Sequence, residues 1–421
     1  MIPLPSPFSQ IPRPNHPPHP PQPQPQASPH QSPLITIYTK REDQSSPFAS
    51  SGNKYRKLEY LIPDILSSVP KYGTLAPGPH HGTLTHPPNP PPAKKTTTLV
   101  TEGALQSNHT IQVTSIANHF HLESVIILHK ATGGGLNAST NKEAFTETGN
   151  VQIARLLGAD IRVLDSSTVS SKYTSTDPTT ATENDTEDGV ASILSTLQTH
   201  HQKSTYWIPS GASLHPLGGL GYARCAFEIA FQEKTHAHTH LNPSPKLRSR
   251  FDYIFVACGS GSTLGGLIAG MKLLQKEEEH QHQNNPPRKI IGIMTSPTQN
   301  RAYHEDRVLG FARQAAGLIG LDGERDIGME DVCVDERFAG MAYGELDGET
   351  REVLGEMARE EAVLLDPVYT GKVVRGMRQW VREGEIARDW VARGGGIGEE
   401  VNVLFIHTGG QTALSAYADV V

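Results

Sequence analysis

Short apolar runs of strand length alternate with segments of helical period along most of this chain. That pattern constrains the fold more than any other feature. Leu34–Tyr38, Thr98–Thr101, Ser124–Leu128, Asp160–Leu164, Tyr253–Ala257, Lys289–Met294 and Val401–Ile406 each read as a buried strand. Tyr55–Ser67, His109–Phe120 and Gly149–Leu157 read as helices between them. Strands buried on both faces and separated by helices build parallel sheets covered on each side. The expected class is therefore α/β, doubly wound, with two sheets.

The rest of the chain interrupts this pattern. Residues 1–33 are rich in Pro, Gln, His and Ser and hold too little apolar surface to offset the entropy of ordering, so they are expected to be a disordered tail. Similar stretches at 78–95 and 166–189, and polar ones at 234–250 and 275–288, read as surface insertions. They concentrate the 32 prolines and depress the hydrophobic fraction to 36%. The expected division is a large unit (34–100 with 210–421) and a small one (101–209).

Charge and composition narrow the function. A net charge of −7 gives no basic footprint for nucleic acid or for polybasic membrane attachment. Three scattered cysteines, Cys225, Cys258 and Cys333, suggest neither a disulfide framework nor a zinc site. The 20 histidines fall mostly in polar runs, so no metal site is expected. No apolar run approaches a membrane span and no secretory leader is legible, so a reducing, cytoplasmic setting is expected.

Three short motifs can carry chemistry. SGNKYRK (51–57) opens a helix, where a lysine is either a surface residue or, at Lys54, an amine whose ammonium the helix dipole disfavours and which can attack a carbonyl cofactor. ACGSGSTLGG (257–266) lies between a strand and a helix. It is either a tight turn or a cradle in which Gly259, Ser260, Gly261, Ser262 and Thr263 hold one phosphate. It lacks the Lys-Ser/Thr ending of a P-loop and does not fit a dinucleotide fingerprint cleanly, so a mono-phosphate cofactor suits it best. GALQSNH (103–109) is either a plain cap by Ser107 or Asn108, or a carboxylate-binding turn made by Gln106, Ser107, Asn108 and His109. Tyr343 and Tyr369, in glycine-flanked loops, can move protons or merely pack.

In order, SGNKYRKLEYLIPD, GALQSNH, GNVQIARLLGADIRVL, IPSGASLHPLGGLGY, GSGSTLGG, DERFAGMAYG, LLDPVYTGK and FIHTGG run from residue 34 to the C-terminus outside the inserts. Together they resemble the D-cysteine desulfhydrase and 1-aminocyclopropane-1-carboxylate (ACC) deaminase family. The resemblance implies a tryptophan-synthase-β-like fold (PLP fold type II), pyridoxal 5′-phosphate (PLP) as cofactor, a small amino-acid substrate and a homodimer. It implies that Lys54 forms the Schiff base and moves the Cα proton, that Asn108 contacts the cofactor's phenolic oxygen, and that Ser107 and its neighbours receive the substrate carboxylate. It further implies that 259–263 hold the phosphate and that Tyr343 and Tyr369 face the substrate.

The deaminases of this family carry Glu after the Tyr of DPVY and Leu before the last Gly-Gly, whereas desulfhydrases carry Ser or Thr at both places. Thr370 and Thr408 stand there in this chain. The resemblance therefore implies α,β-elimination of D-cysteine, with ring-opening deamination of ACC as the alternative. Glu102 departs from the pattern, standing where ACC deaminases have a second glycine.

Overall fold

The computed structural model describes residues 2–3, 33–49, 52–78, 84–85, 94–130, 146–165, 189–239, 250–281, 286–396 and 398–418. Nearly all of the expected tail and the 166–188 segment lie outside these residues. The strands are β1 Ile2–Pro3, β2 Leu34–Arg41, β3 Ala76–Pro77, β4 Leu84–Thr85, β5 Thr98–Ala104, β6 Glu123–Lys130, β7 Asp160–Asp165, β8 Thr205–Ile208, β9 Tyr253–Cys258, β10 Lys289–Met294, β11 Val334–Asp335 and β12 Glu400–His407. The helices are α1 Lys54–Ile65, α2 Asn108–His119, α3 Gly149–Leu156, α4 Gly189–Thr199, α5 Leu220–Thr239, α6 Ser262–His280, α7 Arg301–Leu318, α8 Gly323–Asp326, α9 Gly348–Glu361, α10 Thr370–Arg382 and α11 Glu385–Ala392.

Two main sheets result, as the alternation requires. One has six strands in the order β1-β2-β12-β9-β10-β11, and the other has four in the order β7-β6-β5-β8. All neighbours are parallel except β1, which runs against β2. The alternation of side chains along β9 and β12 feeds two cores. Ile254, Val256, Leu404 and Ile406 pack with Tyr222, Leu264 and Leu267 from α5 and α6. Tyr253, Phe255, Val403 and Phe405 point the other way, onto Val353, Val373, Met377 and Trp390 of α9–α11. Each such large apolar side chain stabilises the fold by roughly 1.5–3 kcal/mol. In the smaller sheet Leu99 meets α1 and α2, while Val100 meets α4.

Strand order reverses at one place in each sheet. In the small sheet the chain steps from β5 through β6 to β7, then returns to place β8 on the other side of β5. In the large sheet it steps from β9 through β10 to β11, then returns to place β12 against β9. Ligands of open α/β sheets bind outside the carboxyl ends of the strands at such reversals. The loop after β5 is residues 105–107 and the loop after β9 is 259–261, which are the two Gly/Ser motifs.

Several boundaries differ from the sequence reading. Ile2–Pro3, inside the expected tail, pair with Tyr38 and Thr39. Leu84–Thr85, inside the expected 78–95 insert, ladder with Ala76–Pro77. Helix α5 continues to Thr239 and α6 to His280, so both polar inserts begin as helix. Polarity marks a solvated face as readily as a loop. The expected division at 100/101 falls inside β5, which lies wholly in the four-stranded sheet.

Candidate active site

Helix α1 starts at Lys54, and its first residues are fastened to three other segments. The Asn53 backbone N–H donates to the Thr408 carbonyl at 3.1 Å. The Asn53 amide donates to the Thr263 hydroxyl at 3.2 Å. The Tyr55 N–H donates to the Gln112 side chain at 3.0 Å. The lysine turn, the final Thr-Gly-Gly turn, the glycine loop and α2 are thus brought to one place, across both sheets.

Lys54 Nζ has no hydrogen-bond partner among the described residues, and burial pulls its ammonium down to about 8. Lys57, one turn on, is fully buried. Its ammonium donates to the Gly211 carbonyl at 3.1 Å and the Ser262 hydroxyl at 2.8 Å. Burial, then the charge of Lys54, hold its pKa well below the usual lysine range. His109 is likewise depressed, first by burial and then by the two lysines. Among the described residues no carboxylate pairs with either amine. A buried cation cluster of this kind calls for an anion.

The glycine loop has the geometry to receive one. Gly261 sits at φ +96°, a left-handed conformation that a side chain resists, and caps α6 without any side-chain bond. The first N–H groups of this 19-residue helix therefore stay open to an anion. Ser213 joins them: its hydroxyl donates to Ser260 at 2.5 Å and accepts from Ser262 at 3.1 Å. Tyr369 lies at the base of the loop, where a Cβ on Gly259 would meet its ring at 3.5 Å.

The carboxylate turn is divided in use. Ser107 caps α2 by accepting the His109 N–H at 3.2 Å. Gln106 turns its amide away, donating to the Thr148 carbonyl and accepting from the Asn150 N–H. The His109 ring meets the Thr101 hydroxyl at 2.9 Å. Only Ser107, Asn108 and the first N–H groups of α2 remain available at the turn. The Gln106 amide is thus tied to the 148–150 segment, whereas the His109 ring is tied through Nε2 alone and its buried Nδ1 has no partner among the described residues. Glu102 pairs with His129 on the neighbouring strand at 2.9 Å.

Tyr343 and Tyr369 meet hydroxyl to hydroxyl at 2.5 Å. Burial pushes Tyr343 up to about 12 and Tyr369 well above its ordinary value. Thr370 is not free: its hydroxyl donates to the Asp366 carboxylate at 2.6 Å and accepts the Asp366 N–H at 2.7 Å. That carboxylate also accepts the N–H groups of Val368, Tyr369 and Thr370, and burial raises its pKa. Thr370 can therefore offer a ligand only an acceptor lone pair. Lys372, buried on the same helix, donates to the Thr295 and Ala339 carbonyls and so holds the loop that carries Tyr343.

Sequence reasoning missed Lys57, Ser213, Asn53 and Asp366 as members of this site. Only Lys57 carried a usable signal, since an i, i+3 spacing puts it on the face of Lys54.

An amine without a partner, a glycine turn at a helix start and a buried lysine without a paired carboxylate among the described residues are together suited to a phosphorylated carbonyl cofactor. The sequence pattern of the pyridoxal-phosphate dependent enzymes matches residues 20–409, and the chain belongs to that family. It is 32% identical over 404 residues to the ACC deaminase of Burkholderia vietnamiensis, covering 96% of this chain and 95% of that protein. It is 34% identical over 387 residues to a probable ACC deaminase of Schizosaccharomyces pombe, covering 91% and 89%. The crystal structure of an ACC deaminase homologue superposes with a TM-score of 0.60 at 25% identity, over 91% of this chain and 87% of that one. The chain is thus a PLP-dependent enzyme of the ACC-deaminase-like kind, with a fold type II architecture. Among the described residues no helix is long and apolar enough to cross a membrane.

Proposed function

We propose that this enzyme converts D-cysteine and water to pyruvate, ammonia and hydrogen sulfide by α,β-elimination. The observation that carries the reading is the pair Thr370 and Thr408, hydroxyl residues where the deaminases it resembles have Glu and Leu. PLP, when bound, supplies an electron sink for the bond electrons released at Cα. The residues that would hold it are Lys54 at the carbonyl, Asn108 at the phenolic oxygen, and Lys57, Ser213 and 259–263 at the phosphate.

The remaining steps belong to side chains. Lys54, with its pKa near 8, is partly neutral at physiological pH and takes the Cα proton. Ser107 and the first N–H groups of α2 hold the substrate carboxylate. The Tyr343–Tyr369 pair shares its protons across one short contact, so either hydroxyl can deliver one to the sulfur leaving Cβ. A carboxylate set directly against the pyridine nitrogen favours its protonated, strongly electron-withdrawing form; a hydroxyl does so less. Expelling hydrosulfide needs less help than opening a cyclopropane, which has no good leaving group.

A second reading, ACC deamination to 2-oxobutyrate and ammonia, is favoured by the relatives' names. Measuring sulfide and 2-oxo acid from D-cysteine, L-cysteine, D-serine and ACC decides between them. Ready 2-oxobutyrate release from ACC without sulfide from D-cysteine would refute the first. We further propose a cytoplasmic homodimer whose smaller unit contributes the 106–109 turn; light scattering of the holoenzyme tests the assembly.

A further inference from the structure

The amide of Asn108 has an orientation that simple donor and acceptor rules fix. A backbone carbonyl only accepts, so the Asn150 side-chain atom 3.0 Å from the Gln106 carbonyl must be its nitrogen. The same nitrogen lies 2.7 Å from the Asn108 amide, which must therefore present its oxygen there. Asn150 Oδ1 in turn accepts the Thr412 hydroxyl at 2.6 Å. The Asn150 backbone N–H is spent on Gln106 at 2.9 Å, and the residue is 1% exposed. Nothing in this set can turn over without leaving a buried polar group unmatched.

The consequence falls on the other end of Asn108. Its NH2 group has no hydrogen-bond partner among the described residues. It faces the Gly409–Gly410 turn, where a Cβ on Gly410 would come within 2.9 Å of it. That turn follows Thr408, whose carbonyl holds the residue before Lys54.

We infer that Asn150 and Thr412 are positioning residues that lock Asn108 with its NH2 group turned into the active site, as a donor to the cofactor's phenolic oxygen. The inference rests on the reading that Asn108 contacts that oxygen. Thr412 belongs to the turn after β12 of the large sheet, and Asn150 to the first turn of α3 beside the small sheet. The donor is therefore set only when the C-terminal turn is docked on α3. A free Asn108 would average both orientations and offer an oxygen to an oxyanion half of the time.

The test is a spectrophotometric pH titration of the cofactor band in holoenzyme, with thermal melts alongside. Lys54, Lys57, His109, Asp366, Tyr343 and Tyr369 are the titratable neighbours and stay unchanged in every variant. An N–H donated to the phenolic oxygen favours its deprotonated form, so losing it raises the midpoint by about one pH unit. Asn108→Ala sets the scale. Asn150→Asp keeps shape and the Thr412 bond but has no N–H to give, so Asn108 must turn its NH2 toward it; the midpoint rises at least as far as in Asn108→Ala, and because the new carboxylate adds to that rise the uncharged Thr412 pair is the deciding comparison. Thr412→Val gives part of that shift, and Thr412→Ser restores the wild-type value. Should Asn150→Asp not fold, the Thr412 pair carries the comparison. If Asn108→Ala shifts the band while the Asn150 and Thr412 variants change only the melt, the network is a structural tie and the inference is overturned. If Asn108→Ala leaves the band unmoved, the reading of Asn108 itself fails.

Discussion

Lys57→Met separates what the buried ammonium does for the cofactor from what it does to the empty protein. Methionine keeps a linear, flexible chain of nearly the same length, so packing changes little. The ammonium touches Ser262 at the cradle and the Gly211 carbonyl. One charge-assisted hydrogen bond is worth about 1.5–3 kcal/mol, so PLP affinity should fall by roughly 10- to 150-fold. The apoprotein should move the other way. Lys57 has a folded pKa far below its unfolded 10.5, so the folded state binds fewer protons than the unfolded state between those values. Apoprotein stability therefore rises with pH across that window, and below the unfolded value burying this amine costs stability whether it is kept charged or stripped of its proton. Lys57→Met should raise the apo melting temperature near pH 7 and flatten its pH dependence. Lys54, depressed to about 8, leaves a residual slope. The assay is PLP titration by absorbance together with apo melts from pH 6 to about 10. An unchanged PLP affinity would remove Lys57 from the phosphate site. An unchanged melt would show that its charge is compensated by some other group.

Three other outcomes follow from the same geometry. Recombination of apoprotein with PLP should quicken as pH rises through about 8, where the Lys54 amine loses its proton, and Lys54→Ala should abolish the bound-cofactor band in an absorbance scan. Tyr343→Phe and Tyr369→Phe should each lower kcat by about 10²-fold or more, and the double variant should add little, because the two hydroxyls act through one 2.5 Å contact; additive losses in kcat would show independent roles. Thr370→Val removes both hydrogen bonds to buried Asp366 and should cost about 1–3 kcal/mol in a denaturant melt, an effect absent if the hydroxyl serves only the cofactor.

The central strands were legible because they are buried on both faces, which forces continuous apolar runs. Strand β8 was not, since four residues, Thr205–Ile208, give too short a run beside the polar 200–204 segment. Helix α7 hid for a different reason. Its buried face carries only Val308 and Phe311 as large apolar residues beside Ala312, Ala315, Ala316 and His304, which lowers the contrast that periodicity needs. At the site, loops announce themselves by glycine and hydroxyl content. Residues that act from inside a helix do not. Lys57 offers only its i, i+3 spacing from Lys54, Asn150 looks like a cap, and Asp366, in the turn before α10, like a turn former, and the fold shows what each faces.

The inserts also make sense once the sheets are placed. Ligand-binding loops leave the carboxyl ends of the strands, so the opposite edge is where added sequence does least harm. In chain order the 78–95 stretch lies between α1 and β5 and includes β4, the 234–250 stretch runs from the last turns of α5 to β9, and the 275–288 stretch from the last turns of α6 to β10. Each of these lies, in chain order, in a helix-to-strand connection. The 166–189 stretch breaks the rule, because it follows β7 on the carboxyl side. But β7 is the outermost strand of its sheet, with β6 between it and the reversal at β5. In chain order none of the four stretches interrupts the loop after β5, the loop after β9 or the turn at 52–54 that is fastened to them.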